Sequence, residues 1–142
     1  MTSPTPRPLR VYETILYASD VAATARFYSE RLGLTLAEEP DEIAAAFRLD
    51  DGGMLLIFDA ARSSVPGRRV PSHGCTGAGH VAFSVPAGQL DPMAARLLEA
   101  GVEVERWIDW PAGGRSFYVR DPAGNSVELV DGEVWGDAPP ST

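Results

Sequence analysis

The stretch Gly79-His80-Val81-Ala82-Phe83-Ser84-Val85 decides the fold. Read in alternation, Val81, Phe83 and Val85 share one face, while His80, Ala82 and Ser84 share the other. Successive side chains of a strand point to opposite faces. This is therefore a half-buried β-strand whose less greasy side opens with a histidine. The first half of the chain carries an analogous run, Val11-Tyr12-Glu13-Thr14-Ile15-Leu16-Tyr17-Ala18. Superposed, Glu13 falls on His80, Leu16 on Phe83 and Ala18 on Val85. The two strands read as one element used twice, with their polar residues meeting at one site.

The elements that follow repeat as well. After the first strand, Ser19-Asp20 offers a helix N-cap, and the helix runs to Leu32 before Gly33 stops it. Strands are expected over 34–38, 43–49 and 54–58, with a turn at Asp50-Asp51-Gly52-Gly53. In the second half a helix opens at Asp91-Pro92 and ends before Gly101. Strands follow over 102–107, 115–120 and 125–130, with a turn at Asp121-Pro122-Ala123-Gly124. Each half reads β-α-β-β-β, and the turn at Asp50 matches the turn at Asp121. The expected class is α+β: two βαβββ modules forming a curved, cup-like mixed sheet with helices on its convex side. The expected divisions are a disordered lead-in (1–9), a first module (10–59), a linker loop (60–79), a second module (80–131) and a tail (132–142).

Composition narrows the function. The 142 residues suffice for one domain with its own core, and the formal charge of −8 disfavours nucleic acid and anionic membranes. No apolar run approaches the ~20 residues of a membrane span. No basic segment followed by an apolar core opens the chain, so a cytoplasmic protein is expected. The single cysteine, Cys75, excludes an intrachain disulfide and a cysteine-cluster zinc site. Gly77-Ala78-Gly79 precedes a strand instead of opening a helix, so it is no dinucleotide loop.

Glu128 lies in Ser126-Val127-Glu128-Leu129-Val130, between two residues of the helix-covered face. It therefore points into the concave side, where a carboxylate is costly unless paired, protonated or bound to a cation. The alternative is an exposed glutamate on an edge strand. Ser116 and Tyr118 share inward parity. In the first half, Ala45, Phe47, Leu49, Leu55 and Ile57 are assigned to the inward face, which makes that wall apolar. Trp107 and Trp110 are candidates for the rim, with ordinary packing as the alternative. His73 is a loop histidine unless the linker folds over the site.

The ordered set of motifs resembles the vicinal oxygen chelate superfamily, which includes glyoxalase I, extradiol dioxygenases, fosfomycin-resistance enzymes and bleomycin-binding proteins. It comprises an early Ser-Asp, then Phe27-Tyr28, then Leu32-Gly33-Leu34, and a final Asp121-Pro122-Ala123-Gly124-Asn125 before Glu128-Leu129. The resemblance implies metal ligands at His80 and Glu128, and at Glu13, where the family most often has histidine. It implies a divalent ion, with two carboxylates leaning toward Mn, Fe, Zn or Mg. Glu13 is then a third ligand or a general base, and Glu13 and Tyr118 are the catalytic candidates. Phe47, Leu49, Ile57, Trp107, Trp110, Ser116 and Tyr118 are the candidate substrate contacts. Matching the two turns places Ile57 where glyoxalase I has a further ligand, which counts against that activity. Ser116 and Tyr118 resemble the fosfomycin-resistance enzymes, whereas Ile15 replaces a hydroxyl residue found there. Two readings follow: a metal-dependent lyase, isomerase, dioxygenase or transferase acting on a small oxygen-chelating, partly apolar substrate, or a non-catalytic binder of an aromatic antibiotic or metabolite. The resemblance also implies a homodimer, with sites that two chains can share.

Overall fold

The computed structural model describes residues 9–136. Nearly all of the expected lead-in and the end of the expected tail lie outside these residues. The elements are β1 (Glu13–Tyr17), α1 (Val21–Arg26), β2 (Thr35–Leu36), β3 (Ala44–Arg48), β4 (Met54–Phe58), α2 (Ala60–Ser63), β5 (His80–Ser84), α3 (Leu90–Glu99), β6 (Arg106–Asp109), β7 (Arg115–Arg120) and β8 (Ser126–Asp131). Asp20 caps α1, accepting from the Ala23 amide at 3.0 Å. The helix then widens into a π-helical turn, Phe27–Arg31. α3 starts at Leu90, one residue before the expected cap. Asp91 therefore sits inside its first turn and pairs with Arg115 at 3.2 Å. No helix among the described residues is long and apolar enough to cross a membrane.

The strands form two four-stranded mixed sheets, ordered β1-β4-β3-β2 and β5-β8-β7-β6. β1 runs parallel to β4, and β5 parallel to β8; the other pairs are antiparallel. This is the expected α+β pair of βαβββ modules, in two separate sheets. Each sheet has a helix-covered face and an open face. The covered faces carry Leu16, Ala45, Phe47, Leu55 and Ile57 in the first module, and Val85, Phe117, Val119, Val127 and Leu129 in the second, and these merge into one core.

That parity corrects the sequence reading of the first module. Phe47 and Ile57 are 0% exposed in the core, and Leu49 shares their parity. Expected to line the open-face cavity, Phe47 and Ile57 instead lie in the core beneath α1, and Leu49 lines a pocket on the covered side. The open face carries Glu13, Ile15, Tyr17, Ala44, Ala46, Arg48, Met54, Leu56 and Phe58. The shift comes from the turns. Gly52 and Gly124 take the same left-handed conformation, φ +87° and +86°, and their amides reach back to Leu49 and Asp121. Leu49, not Asp50, is thus the counterpart of Asp121. The counterpart of Glu128 is then Leu56, one residue before the expected Ile57. Leu56 is equally unable to bind a metal.

The two modules are stapled by polar groups at the β7–β8 turn. Asp121 Oδ1 accepts from the amides of Ala123 and Asn125, each at 2.9 Å. Its Oδ2 accepts from the Tyr28 hydroxyl at 2.8 Å and from Asn125 Nδ2 at 2.9 Å. Asn125 Nδ2 also donates to the Tyr17 carbonyl at 3.1 Å, and Asn125 Oδ1 accepts from the Gly79 amide at 2.7 Å. A side chain at Gly79 has little room, since its Cβ would lie 3.0 Å from Leu16. Burial and the neighbouring Asp121 charge push the Tyr28 phenol far above its ordinary pKa.

The linker is partly ordered. It opens with α2 and returns at His73, whose Nδ1 bonds the Tyr17 hydroxyl at 2.7 Å and whose ring packs edge-on against Phe58 at 4.7 Å. It covers one end of the first sheet's open face. Trp135 is 96% exposed and packs on nothing among the described residues.

Asn125→Ala removes both a donor and an acceptor from buried partners and should cost about 3 kcal/mol of stability. Tyr28→Phe leaves Asp121 with its other donors and should cost about 1 kcal/mol. Urea unfolding measures both, and equal costs would contradict the staple.

Candidate metal centre

His80 and Glu128 meet on the open face of the second sheet. Their strands are neighbours, and Glu128 stands opposite Ala82, two residues beyond His80 on the same side. His80 Nε2 lies 3.3 Å from Glu128 Oε1. His80 Nδ1 lies 3.0 Å from the Ser126 carbonyl oxygen, which can only accept, so Nδ1 carries a proton. In a neutral imidazole that leaves Nε2 as a lone pair aimed at a carboxylate oxygen. Two acceptors held this close need a proton or a metal cation between them. The donor set suits a divalent cation, because the imidazole is oriented from behind by a carbonyl, as metal-binding histidines usually are.

Glu128 is only 6% exposed, on a central strand. Its second oxygen, Oε2, accepts from the Ser116 hydroxyl at 2.6 Å. Ser116 in turn accepts from the Trp110 indole N–H at 2.8 Å. Tyr118 stands directly opposite Glu128 across the β7–β8 pair, and its ring stacks against His80 with centroids 6.2 Å apart. Burial first, then hydrogen bonding to Glu128 and its charge, raise the Tyr118 pKa above the ordinary tyrosine value, while Arg106 pulls the other way. Arg106 faces Tyr118 across the β6–β7 pair. One row across the sheet thus reads Ala82, Glu128, Tyr118, Arg106.

Comparisons with known proteins identify the family. A family model described as the Glyoxalase/Bleomycin resistance protein/Dioxygenase superfamily matches residues 10–129. The chain belongs to this superfamily. It is 33% identical over 119 residues to the glutathione transferase FosA of Serratia marcescens, covering 84% of this chain and 78% of that one. It is 40% identical over 59 residues, 39% of each chain, to the metallothiol transferase FosB of Shouchella clausii. The crystal structure of a lactoylglutathione lyase from Agrobacterium tumefaciens superposes with a TM-score of 0.85 at 36% identity, over 93% of this chain and all of that one.

Set against the glyoxalase/dioxygenase fold, the expected site residues divide. His80, Glu128, Ser116 and Tyr118 come together, and Trp110 joins them through Ser116. Glu13 does not: among the described residues no three His, Cys, Asp or Glu side chains gather closely enough to hold one metal. β1 and β5 are edge strands of different sheets, and the covered faces, not the open ones, share the core. Glu13 is therefore exposed at the place in the first sheet that His80 occupies in the second. Trp107 also departs from expectation. It lies on the helix-covered side, 5.2 Å from the Phe117 ring, with Arg115 stacked over it at 4.9 Å. Sequence reasoning missed Arg106, although its alternation with Trp107 was a usable signal.

Because the folded state raises the Tyr118 pKa above its unfolded value of 10.0, its contribution to stability is full below that pH. It is lost as pH climbs through the folded pKa. Ultraviolet titration of wild type minus Tyr118→Phe should show ionisation above pH 10, moving downward in Glu128→Gln. No movement in Glu128→Gln would detach the phenol from the carboxylate.

Proposed function

We propose that the chain is a metal-dependent enzyme acting on a small, oxygen-chelating substrate, in a site that two copies complete. The His80–Glu128 pair carries this reading, since its two facing acceptors are each held from behind by a hydrogen bond. His80 and Glu128 would hold a divalent ion, drawn from Mn, Fe, Zn or Mg, with positions left for substrate oxygens. When bound, the ion polarises a substrate oxygen and stabilises negative charge growing on it. Tyr118, kept protonated by its surroundings, donates a hydrogen bond to that oxygen. Arg106, two strands from Glu128 on the same face, attracts an anionic end of the substrate. The names of the three relatives all contain a thiol compound or its conjugate, which supports a thiol among the reactants.

Glu13 is the third ligand, and it comes from a second copy. It is exposed on an edge strand, on the open face of a sheet whose remaining surface is largely apolar. An isologous pairing that lays the first sheet of one copy over the second sheet of the other brings Glu13 to His80 and Glu128 twice, once per site.

The purified protein should take up one Mn²⁺ per chain, and His80→Ala, Glu128→Ala and Glu13→Ala should each lose it. Mixing Glu13→Ala with His80→Ala chains should regenerate one intact site in each mixed dimer, read as tight Mn²⁺ uptake by electron paramagnetic resonance. No recovery on mixing would place each site within one chain. Glu13→Gln that stops turnover but keeps the metal would make Glu13 a base. Metal-free protein that binds an aromatic compound and leaves it unchanged would favour the binder.

A further inference from the structure

We propose that Trp110 is a positioning residue for the metal centre, acting through Ser116 to fix how Glu128 presents its carboxylate. This rests on the metal-dependent reading above. The hydrogen-bond chain has only one possible direction. An indole N–H can only donate and a carboxylate can only accept, so the Ser116 hydroxyl accepts from Trp110 and donates its own proton to Glu128. Ser116 is 0% exposed and its single proton is committed. It has no proton left to donate to a substrate, so its inward parity serves the carboxylate. With Oε2 held by Ser116, Oε1 is the oxygen that faces His80. The relay thus leaves Oε1 as the oxygen with which Glu128 would hold an ion beside His80.

Trp110 is itself held firmly. It ends β6 at a tight turn in which its amide donates to the Gly114 carbonyl at 2.8 Å and its carbonyl accepts from the Gly113 amide at 2.9 Å. The Gly114 amide donates to the Glu133 carbonyl at 2.9 Å. A Cβ at Gly114 would lie 2.5 Å from that oxygen, so only glycine permits the approach. The hairpin is therefore clamped to the segment after β8, and the indole is aimed by backbone contacts on both sides. Partners that hold ligand side chains from behind are commonly worth ten- to a hundredfold in metal affinity.

The test uses purified wild type, Trp110→Phe, Ser116→Ala, Ser116→Thr and the Trp110→Phe/Ser116→Ala double variant, stripped of metal and titrated with Mn²⁺. Trp110→Phe keeps the ring and loses the donor, and should weaken Mn²⁺ binding by about tenfold or more. Ser116→Ala should weaken it at least as much, Ser116→Thr should retain most of the affinity, and the double variant should be no worse than Ser116→Ala. The Mn²⁺ resonance spectrum should change in Trp110→Phe, and the Trp110 indole N–H should lose its protection from hydrogen exchange in Ser116→Ala. Unchanged affinity in Trp110→Phe, or additive losses in the double variant, overturns the relay while the metal reading stands. A wild-type protein that takes up no Mn²⁺ overturns the metal reading and this proposal with it.

Discussion

One buried carboxylate, Asp121, organises the molecule. Its two oxygens receive four donors, drawn from its own turn, from Asn125 and from Tyr28 of the other module. Asn125, oriented by Asp121, then grips β1 through the Tyr17 carbonyl and the approach to β5 through the Gly79 amide. Gly79 is the residue before His80, so the bond that joins the modules also fixes where the imidazole leaves the chain. The site is consequently as rigid as the staple, and no long loop intervenes between them. Burying Asp121 is tolerable because every polar atom around it is satisfied; no buried side-chain nitrogen or oxygen among the described residues lacks a partner.

The two modules share a scaffold and divide the chemistry. Register sets Leu56 against Glu128, Ala46 against Tyr118 and Ala44 against Ser116. At each of these places the first module has an aliphatic side chain where the second has a polar one. What the first module retains is Glu13, at the place of His80 in the repeat, on a face otherwise made of aliphatic and aromatic side chains and Arg48. A largely apolar wall whose charges are one carboxylate and one guanidinium suits a surface that closes over a polar site better than one that holds a metal alone. The same loss removes the staple from the first turn: Leu49 stands where Asp121 does, and Asp51 satisfies only the local Gly53 amide.

The alternation of His80–Val85 and of Ser126–Val130 was enough to place His80 and Glu128 on one face, since a period of two leaves no freedom once the covered side is known. The same logic failed in the first module. Phe47, Leu49 and Ile57 alternate correctly, but nothing in their pattern tells a helix-covered face from a cavity wall when both are apolar. The turn glycine was the missing signal: left-handed φ belongs to Gly52 and Gly124, and matching Gly53 instead displaced every counterpart by one. Trp107 and Trp110 could not be separated by composition, because their faces depend on β6, which begins at Arg106 and not at residue 102. The separation of Glu13 from the pair was also hidden, because strand order within each sheet says nothing of which face the other sheet meets.

Charge bears on the proposed cation beside Glu128. The chain carries −8, a field that draws metal ions in and holds anionic substrates off. In the proposed site, a dication held by Glu128 and a second copy's Glu13 would balance those two carboxylates. Arg106 then dominates the field at the far end of the row, across the Tyr118 phenol, where no carboxylate among the described residues pairs with it. Arg115 and Arg120, its neighbours on β7, are spent on Asp91, Asp109 and Glu105. A substrate that chelates the metal through oxygen and ends in an anion would meet one positive charge at each end of its span, with a hydrogen-bond donor between them. Selectivity for such a molecule would come from the spacing of three neighbouring strands, roughly 10 Å across, and that spacing is fixed by the sheet itself.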